Sequence, residues 1–280
     1  DSYQAGNTQY QDFFATEYSM LSTLRNFPKA VIVMMDGYVL GGGFGLAQAC
    51  HIKVSSEKSR FAMPETAIGF FPDVGATHFL SRLDEVGVYM ALTGEQISSS
   101  DALYLDLVDY HVPSERFAEL EAALIAAPVL NPMEIQKIIS SYITHPVESE
   151  LQKSIEHINQ HFGYQHLEEI EQSLAHTSNS TDQEWASKML AILQQRPVMA
   201  KQTSLKLQQA GQNLSLEKCM QLERDLQDVW LEQGDFIEGV RALIIDKDKN
   251  PQWRTENAEF EQTLEKLWPA WTQQRIENIT

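Results

Sequence analysis

The feature that most constrains this chain is a glycine cluster set between an apolar strand and a helix. Residues Ala30 to Met35 (AVIVMM) form a continuous apolar run rich in β-branched side chains, the pattern of a strand buried on both faces. Asp36 and Gly37 turn the chain, and Gly41, Gly42, Gly43 and Gly45 precede the helix-forming stretch Leu46 to Cys50. Consecutive glycines ahead of a helix let a ligand approach the backbone and aim unpaired N–H groups at it. The spacing matches neither a phosphate loop, which wants a following Lys-Ser/Thr, nor a dinucleotide loop, which wants G-x-G-x-x-G. It suits an oxyanion hole, which needs only backbone donors at a helix N-terminus, and it equally suits a purely structural turn. His51 to Ser55 and Ser59 to Ala62 then read as two short strands around a polar turn, and this strand–turn–helix–strand order predicts an α/β fold.

Two carboxylates follow. Glu65 and Asp73 lie 23 and 31 positions beyond Gly42, among Phe61, Met63, Ile68, Phe70, Phe71 and Val74. Apolar surroundings raise a carboxyl pKa and suit the group to acid–base or nucleophilic work. The alternative is that each caps a short helix after Pro64 or Pro72.

Around this region the chain reads as helical. Phe13, Phe14, Tyr18, Leu21 and Leu24 predict a helix over 9–26, stopped by Pro28. Beyond about residue 83 helices dominate, with capping boxes expected at Ser149/Gln152, Thr181/Glu184 and Asp235/Glu238. From Leu214 to Leu231 an apolar stripe (Leu216, Cys219, Met220, Leu222, Leu226, Val229, Trp230) reads as core. Polar, Pro-punctuated residues at 126–132 suggest a division into 1–127 and 128–280, with a weaker break at 176–182. His78 and His111 are expected to pack and Asp246 to Lys249 to form a solvated turn; Arg241 is expected to pair with a carboxylate, with approach to an anionic ligand's phosphate as its alternative.

Composition removes some function classes. With 21 Lys and Arg against 39 Asp and Glu, the net charge of −18 argues against nucleic acid or an anionic membrane as partner. Two cysteines cannot build a disulfide framework and point to a reducing compartment. No stretch reads as a membrane span, and no His/Cys cluster has metal-ligand spacing, so no metal is expected.

The stretch MDGYVLGGGFGLAQACHIKVSSEKSRFAMPETAIGFFPDVGATHFLSRL resembles the crotonase (enoyl-CoA hydratase/isomerase) superfamily. The pairing of AMPET with GFFPDVG resembles its hydrolase branch, and YMALTGEQISSSDALYLDLVDYHV and GDFIEGVRALIIDKDKNPQW continue the likeness. The resemblance implies an α/β crotonase-like fold, a ββα-superhelix core, with a mostly helical C-terminal region. It implies a thioester hydrolase that releases CoA from a short β-hydroxyacyl-CoA, with 3-hydroxyisobutyryl-CoA in valine breakdown as the foremost substrate. Gly42 then matches the glycine whose N–H forms half of the oxyanion hole, Glu65 the catalytic glutamate, and Asp73 the aspartate that contacts the substrate hydroxyl. Glu17 matches a further substrate-contacting glutamate, with a solvated helix charge as its alternative. Whether Glu65 attacks the carbonyl or activates water is open.

The family's hydratases resemble GGGxE at the glycine turn; here that place is Gly45, which removes one of the two glutamates that hydration uses. An enoyl-CoA hydratase or isomerase, and a non-catalytic interaction module, are the other readings. The resemblance implies no cofactor beyond the CoA of the substrate, an aqueous location (cytoplasmic, or the mitochondrial matrix in a eukaryote), and a possible homo-oligomer. It also places the family's first strands and second oxyanion donor before Asp1. A protein of these 280 residues alone is therefore expected to be inactive and poorly soluble.

Overall fold

The computed structural model describes residues 6–7, 9–128, 131–177, 180–254, 262–263 and 266. Asp1, and parts of both expected breaks, lie outside the described residues. In chain order the elements are α1 (Gln9–Arg25), β1 (Ile32–Met35), β2 (Tyr38–Leu40), α2 (Gly42–Ala49), β3 (Ile52–Ser55) and β4 (Arg60–Ala62). A 3-10 turn (Glu65–Ile68) leads to α3 (Ala76–Leu80), α4 (Asp84–Thr93), β5 (Ile97–Ser98), α5 (Ser99–Tyr104) and β6 (Tyr110–His111). The remainder is helical: α6 (Phe117–Ala126), α7 (Pro132–Ser140), α8 (Glu150–Phe162), α9 (Leu167–Ala175), α10 (Ser180–Gln194), α11 (Val198–Gly211), α12 (Leu216–Gln233) and α13 (Phe236–Val240). These elements form two compact units, each made of separated segments.

One unit comprises residues 17–63 and 95–156 and holds the strands. They form two three-stranded sheets, ordered β1-β3-β6 and β2-β4-β5. β1 and β3 run parallel with Ile32 opposite Ile52, while β2 and β4 run parallel with Tyr38 opposite Arg60. The two strands around the polar turn, β3 and β4, therefore do not pair with each other; each stacks on the corresponding strand of the preceding turn of chain. Val54, Val112, Leu120, Leu124, Ile135 and Ile139 form the core under α6 and α7. β1 is shorter and less buried than its sequence predicts: only Met35 is buried, and Ile32, Val33 and Met34 are half-buried. His111 packs as expected, its Nδ1 2.8 Å from the buried Ser99 hydroxyl, which is 2.7 Å from that of Ser55.

The other unit comprises residues 1–16, 64–94 and 157–280. Phe70, Phe71, Met199, Leu207, Leu222, Leu226 and Trp230 fill its core, with Phe70 stacked on Phe71 at 4.3 Å and Trp230 edge-on to Phe71 at 5.2 Å. Of the expected stripe on α12, Cys219, Leu222, Leu226 and Trp230 are buried, while Leu216, Met220 and Val229 are half-buried. Two further buried positions of the helix, Glu223 and Gln227, are polar. His78 is half-buried. Both cysteines, Cys50 in the first unit and Cys219 in this one, are buried free thiols. Burial pushes the Cys219 thiol up to about 12, with the Glu223 carboxylate adding to the shift.

Helix ends follow sequence signals in part. Ser149 Oγ accepts the Gln152 N–H at 3.0 Å, as its capping pattern predicts. Thr181 falls inside α10, which begins at Ser180; its side chain lies outside the described residues. Asp235 sits at the start of α13, but its carboxylate accepts the Arg254 N–H at 2.9 Å rather than an N–H of its own helix. Arg241 pairs within its own segment, with Glu238 at 2.7 Å, Asp246 at 2.8 Å and Asp248 at 2.6 Å.

Candidate active site

The glycine turn is built by local backbone geometry. β2 delivers the chain to Gly41, whose φ of 52° and ψ of −123° lie where a side chain would clash. The Gly41 N–H donates to the Ala62 carbonyl at 3.0 Å, and its carbonyl accepts the N–H groups of Phe44 at 2.8 Å and Gly45 at 3.1 Å. The turn is thereby tied to β4, and α2 starts at Gly42. N–H groups in the first turn of a helix have no intrahelical acceptor, so Gly42 and Gly43 can offer theirs to a ligand. Phe44, fully buried, anchors the turn against Phe61 at 5.3 Å between ring centroids.

Glu17 joins this turn. Its Oε1 lies 3.2 Å from where a Cβ on Gly42 would sit, so the two sequence-predicted residues are neighbours. The carboxyl is half-buried, and burial pushes its pKa above the ordinary carboxylate value. That setting disfavours the solvated-charge reading.

The second pair of candidates, Glu65 and Asp73, lies on one segment of the other unit. Glu65 opens the 3-10 turn directly after Pro64 and is 8% exposed. Its Oε2 is buried with no hydrogen-bond partner. Burial is the main reason its pKa rises to about 8; its own N–H opposes the rise, and the negative charge of Glu223 adds to it. A buried carboxyl without full hydrogen bonding is expensive to keep. Such a group, with a pKa moved toward neutrality, has the character of an acid–base or nucleophilic residue.

Asp73 is 7% exposed and accepts the Gln227 side-chain N–H on Oδ2 at 3.3 Å. The backbone then turns sharply: Val74 has φ of 51°, unusual for a β-branched residue, and Gly75 has φ of 88°. The Asp73 carbonyl accepts the Ala76 N–H at 2.9 Å. A helix cap needs neither the burial of Glu65 nor the distant side chain that Asp73 meets, so capping does not account for this pair.

Three residues of α12 hold this segment: Trp230, which the sequence reading placed in the core stripe, and Glu223 and Gln227, which it did not single out. The Glu223 carboxylate accepts the Gly75 N–H at 2.8 Å and the Thr77 N–H at 2.9 Å. Gln227 reaches Asp73, and Trp230 Nε1 donates to the Gly69 carbonyl at 2.7 Å. The available signal was a polar pair at i and i+4 inside an otherwise apolar stripe. Among the described residues no group of three or more His, Cys, Asp or Glu side chains could hold a metal ion.

Comparison with known proteins gives the family and the fold. A profile of the family described as Enoyl-CoA hydratase/isomerase matches residues 1–266. The mitochondrial 3-hydroxyisobutyryl-CoA hydrolase of Gallus gallus is 36% identical over 261 residues, covering 91% of this chain and 66% of that protein. 3-Hydroxyisobutyryl-CoA hydrolase 1 of Arabidopsis thaliana is 31% identical, covering 89% of this chain and 67% of its own length. The chain thus spans about two thirds of the length of these relatives. Among solved structures, an enoyl-CoA hydratase from Rhodobacter sphaeroides 2.4.1 superposes with a TM-score of 0.78 at 32% identity, over 89% of this chain and 72% of its own. A carnitinyl-CoA dehydratase from Mycobacterium thermoresistibile gives 0.79 at 26% identity, over 90% of this chain and 72% of its own. The fold is α/β and crotonase-like. Among the described residues no helix is long and apolar enough to cross a membrane.

Proposed function

This chain belongs to the enoyl-CoA hydratase/isomerase family, and from that premise we propose that it hydrolyses an acyl-CoA thioester. The favoured substrate is 3-hydroxyisobutyryl-CoA, the acyl-CoA in the names of its curated relatives. The observation that carries the reading is Glu65: a buried carboxyl, one oxygen without a partner, with its pKa raised to about 8. In this reading the Gly42 N–H donates to the thioester oxygen as negative charge develops there. Glu65, once deprotonated, is a stronger base and nucleophile than an ordinary carboxylate. It either attacks the carbonyl carbon, expelling CoA thiolate and leaving an anhydride that water cleaves, or takes a proton from the attacking water. Asp73 accepts the 3-hydroxyl of the acyl group, and Glu17 lines the glycine turn. No cofactor beyond the CoA of the substrate enters the reaction, and an aqueous compartment, the cytoplasm or mitochondrial matrix, is the setting that suits it.

A hydratase reading draws support from the likeness to the enoyl-CoA hydratase of Rhodobacter sphaeroides. Against it stands Gly45, buried on α2, where the resemblance of hydratases would place a second glutamate. A non-catalytic module offers no reason to keep Glu65 buried and under-bonded.

A thiol reagent separates the three. Incubating the full-length protein that contains this chain with 3-hydroxyisobutyryl-CoA and a panel of short acyl-CoAs should release thiol, fastest with the hydroxylated acyl groups. Glu65→Gln should lower the rate on the order of a thousandfold. Loss of enoyl absorbance without thiol would favour the hydratase. Neither signal would leave the module.

A further inference from the structure

We infer that one face of α12 is the template that sets the carboxylate-bearing segment, with Glu223 and Gln227 as positioning residues for hydrolysis. The inference rests on the thioesterase reading above. Glu223, Gln227 and Trp230 are spaced i, i+4 and i+7, which puts them in one row along a helix. Their partners run in the opposite order along the other strand of the contact: Trp230 holds the Gly69 carbonyl, Gln227 holds Asp73, and Glu223 holds the N–H groups of Gly75 and Thr77. The row therefore grips the segment at the end of the turn that Glu65 opens, at Asp73 itself, and just after the strained Val74.

Packing alone does not explain this choice of side chains. Glu223 is completely buried, and an unmatched carboxylate there would cost several kcal/mol. Apolar residues of similar size would fill the same space without that cost. What a carboxylate adds is two charge-assisted acceptors in a fixed plane, which hold Gly75 and Thr77 at a set distance from α12. No side chain within α3 caps that helix, so Glu223 does so from 146 residues or more away. Gln227 adds a donor that selects the orientation of the Asp73 carboxylate. Glu223 is also the charged group whose field reaches Glu65; Arg82 and Glu217 act on the neighbouring Cys219.

Two near-isosteric variants of the full protein test this, Glu223→Gln and Gln227→Met, read by steady-state CoA release, pH profiles and thermal denaturation. Glu223→Gln turns one acceptor into a donor facing an N–H. Its kcat should fall about 10- to 100-fold with KM changed less than about threefold, the scale of a misplaced catalytic group. The acidic limb of its kcat/KM profile should also move to lower pH, because a like charge near Glu65 is gone. Gln227→Met should lose roughly tenfold in kcat with the limb unmoved. A merely structural role would lower the thermal midpoint while leaving kcat per active site and the limb unchanged, and that result overturns the inference. If Glu223→Gln does not fold, the kinetics of Gln227→Met decide, and an unchanged kcat overturns it. CoA release by the unsubstituted protein with both variants unaltered defeats this inference alone; no CoA release by the unsubstituted protein defeats the parent reading and this one together.

Discussion

The glycine turn and the carboxylate segment are held by opposite means. Around Gly41 the hydrogen bonds are all backbone and no partner is more than about twenty residues away: Ala62 accepts its N–H, Phe44 and Gly45 donate to its carbonyl, and the Phe44 ring packs on Phe61. From Glu65 to Thr77 local backbone bonds are joined by buried side chains of α12 that lie 146 to 161 residues distant. The difference follows from the chemistry each region offers. A turn that presents N–H groups needs a special backbone conformation, which glycine supplies alone. A turn that presents carboxylates must keep them desolvated and aimed, and that takes polar partners from another element.

The comparison can be broken or sharpened by substitution. The largest effect is expected at Glu65, where Glu65→Gln should cost about a thousandfold in CoA release yet raise stability. The folded carboxyl keeps its proton up to about pH 8, whereas the unfolded one ionises near 4.5. The folded state thus binds more protons across that window, and stability falls as pH rises through it. Thermal midpoints of Glu65→Gln and the parent should match near pH 4 and diverge toward pH 8, with the variant higher. A gap that stays constant with pH would mean that Glu65 is not a desolvated acid.

Next comes Gly239→Ala. A Cβ there would lie 2.0 Å from the Ile68 carbonyl oxygen, so α13 must retreat from the turn that carries Glu65. Urea denaturation should show a loss of about 3 kcal/mol, with hydrolysis impaired as well. Gly41→Ala places a side chain at φ of 52° and should cost roughly 1–3 kcal/mol, without moving the pH limb assigned to Glu65. If the limb moved, the two regions would not be independently built. The smallest effect belongs to Arg241→Lys, an exposed cluster of ion pairs, where the thermal midpoint should change by about 1 °C or less.

How much could be read from the sequence follows the same division. The glycine turn, the helix ending before Pro28, the buried members of the α12 stripe and the Arg241 pairs depend on neighbours in sequence, and the structure contains them as expected. Glu65 and Asp73 were visible as carboxylates in apolar company. What fixes them was not, because Glu223 and Gln227 act across 146 to 154 residues, and apolar periodicity picks out only the apolar members of a helix face. Asp235 shows the converse. Its spacing to Glu238 is that of a capping box, yet a competing donor, the Arg254 N–H, takes the carboxylate. β1 was expected to be buried on both sides because its residues are uniformly apolar, but Ile32, Val33 and Met34 are half-buried.

The two buried thiols have a practical reach. The sequence holds only Cys50 and Cys219, and burial raises the pKa of both, so neither presents much thiolate near neutral pH. The chain is in effect a cysteine-silent background. A single cysteine placed on an exposed position such as Tyr38 or Val147 should take a maleimide dye alone, which opens the protein to single-site fluorescence and spin-label measurements without first removing any native residue.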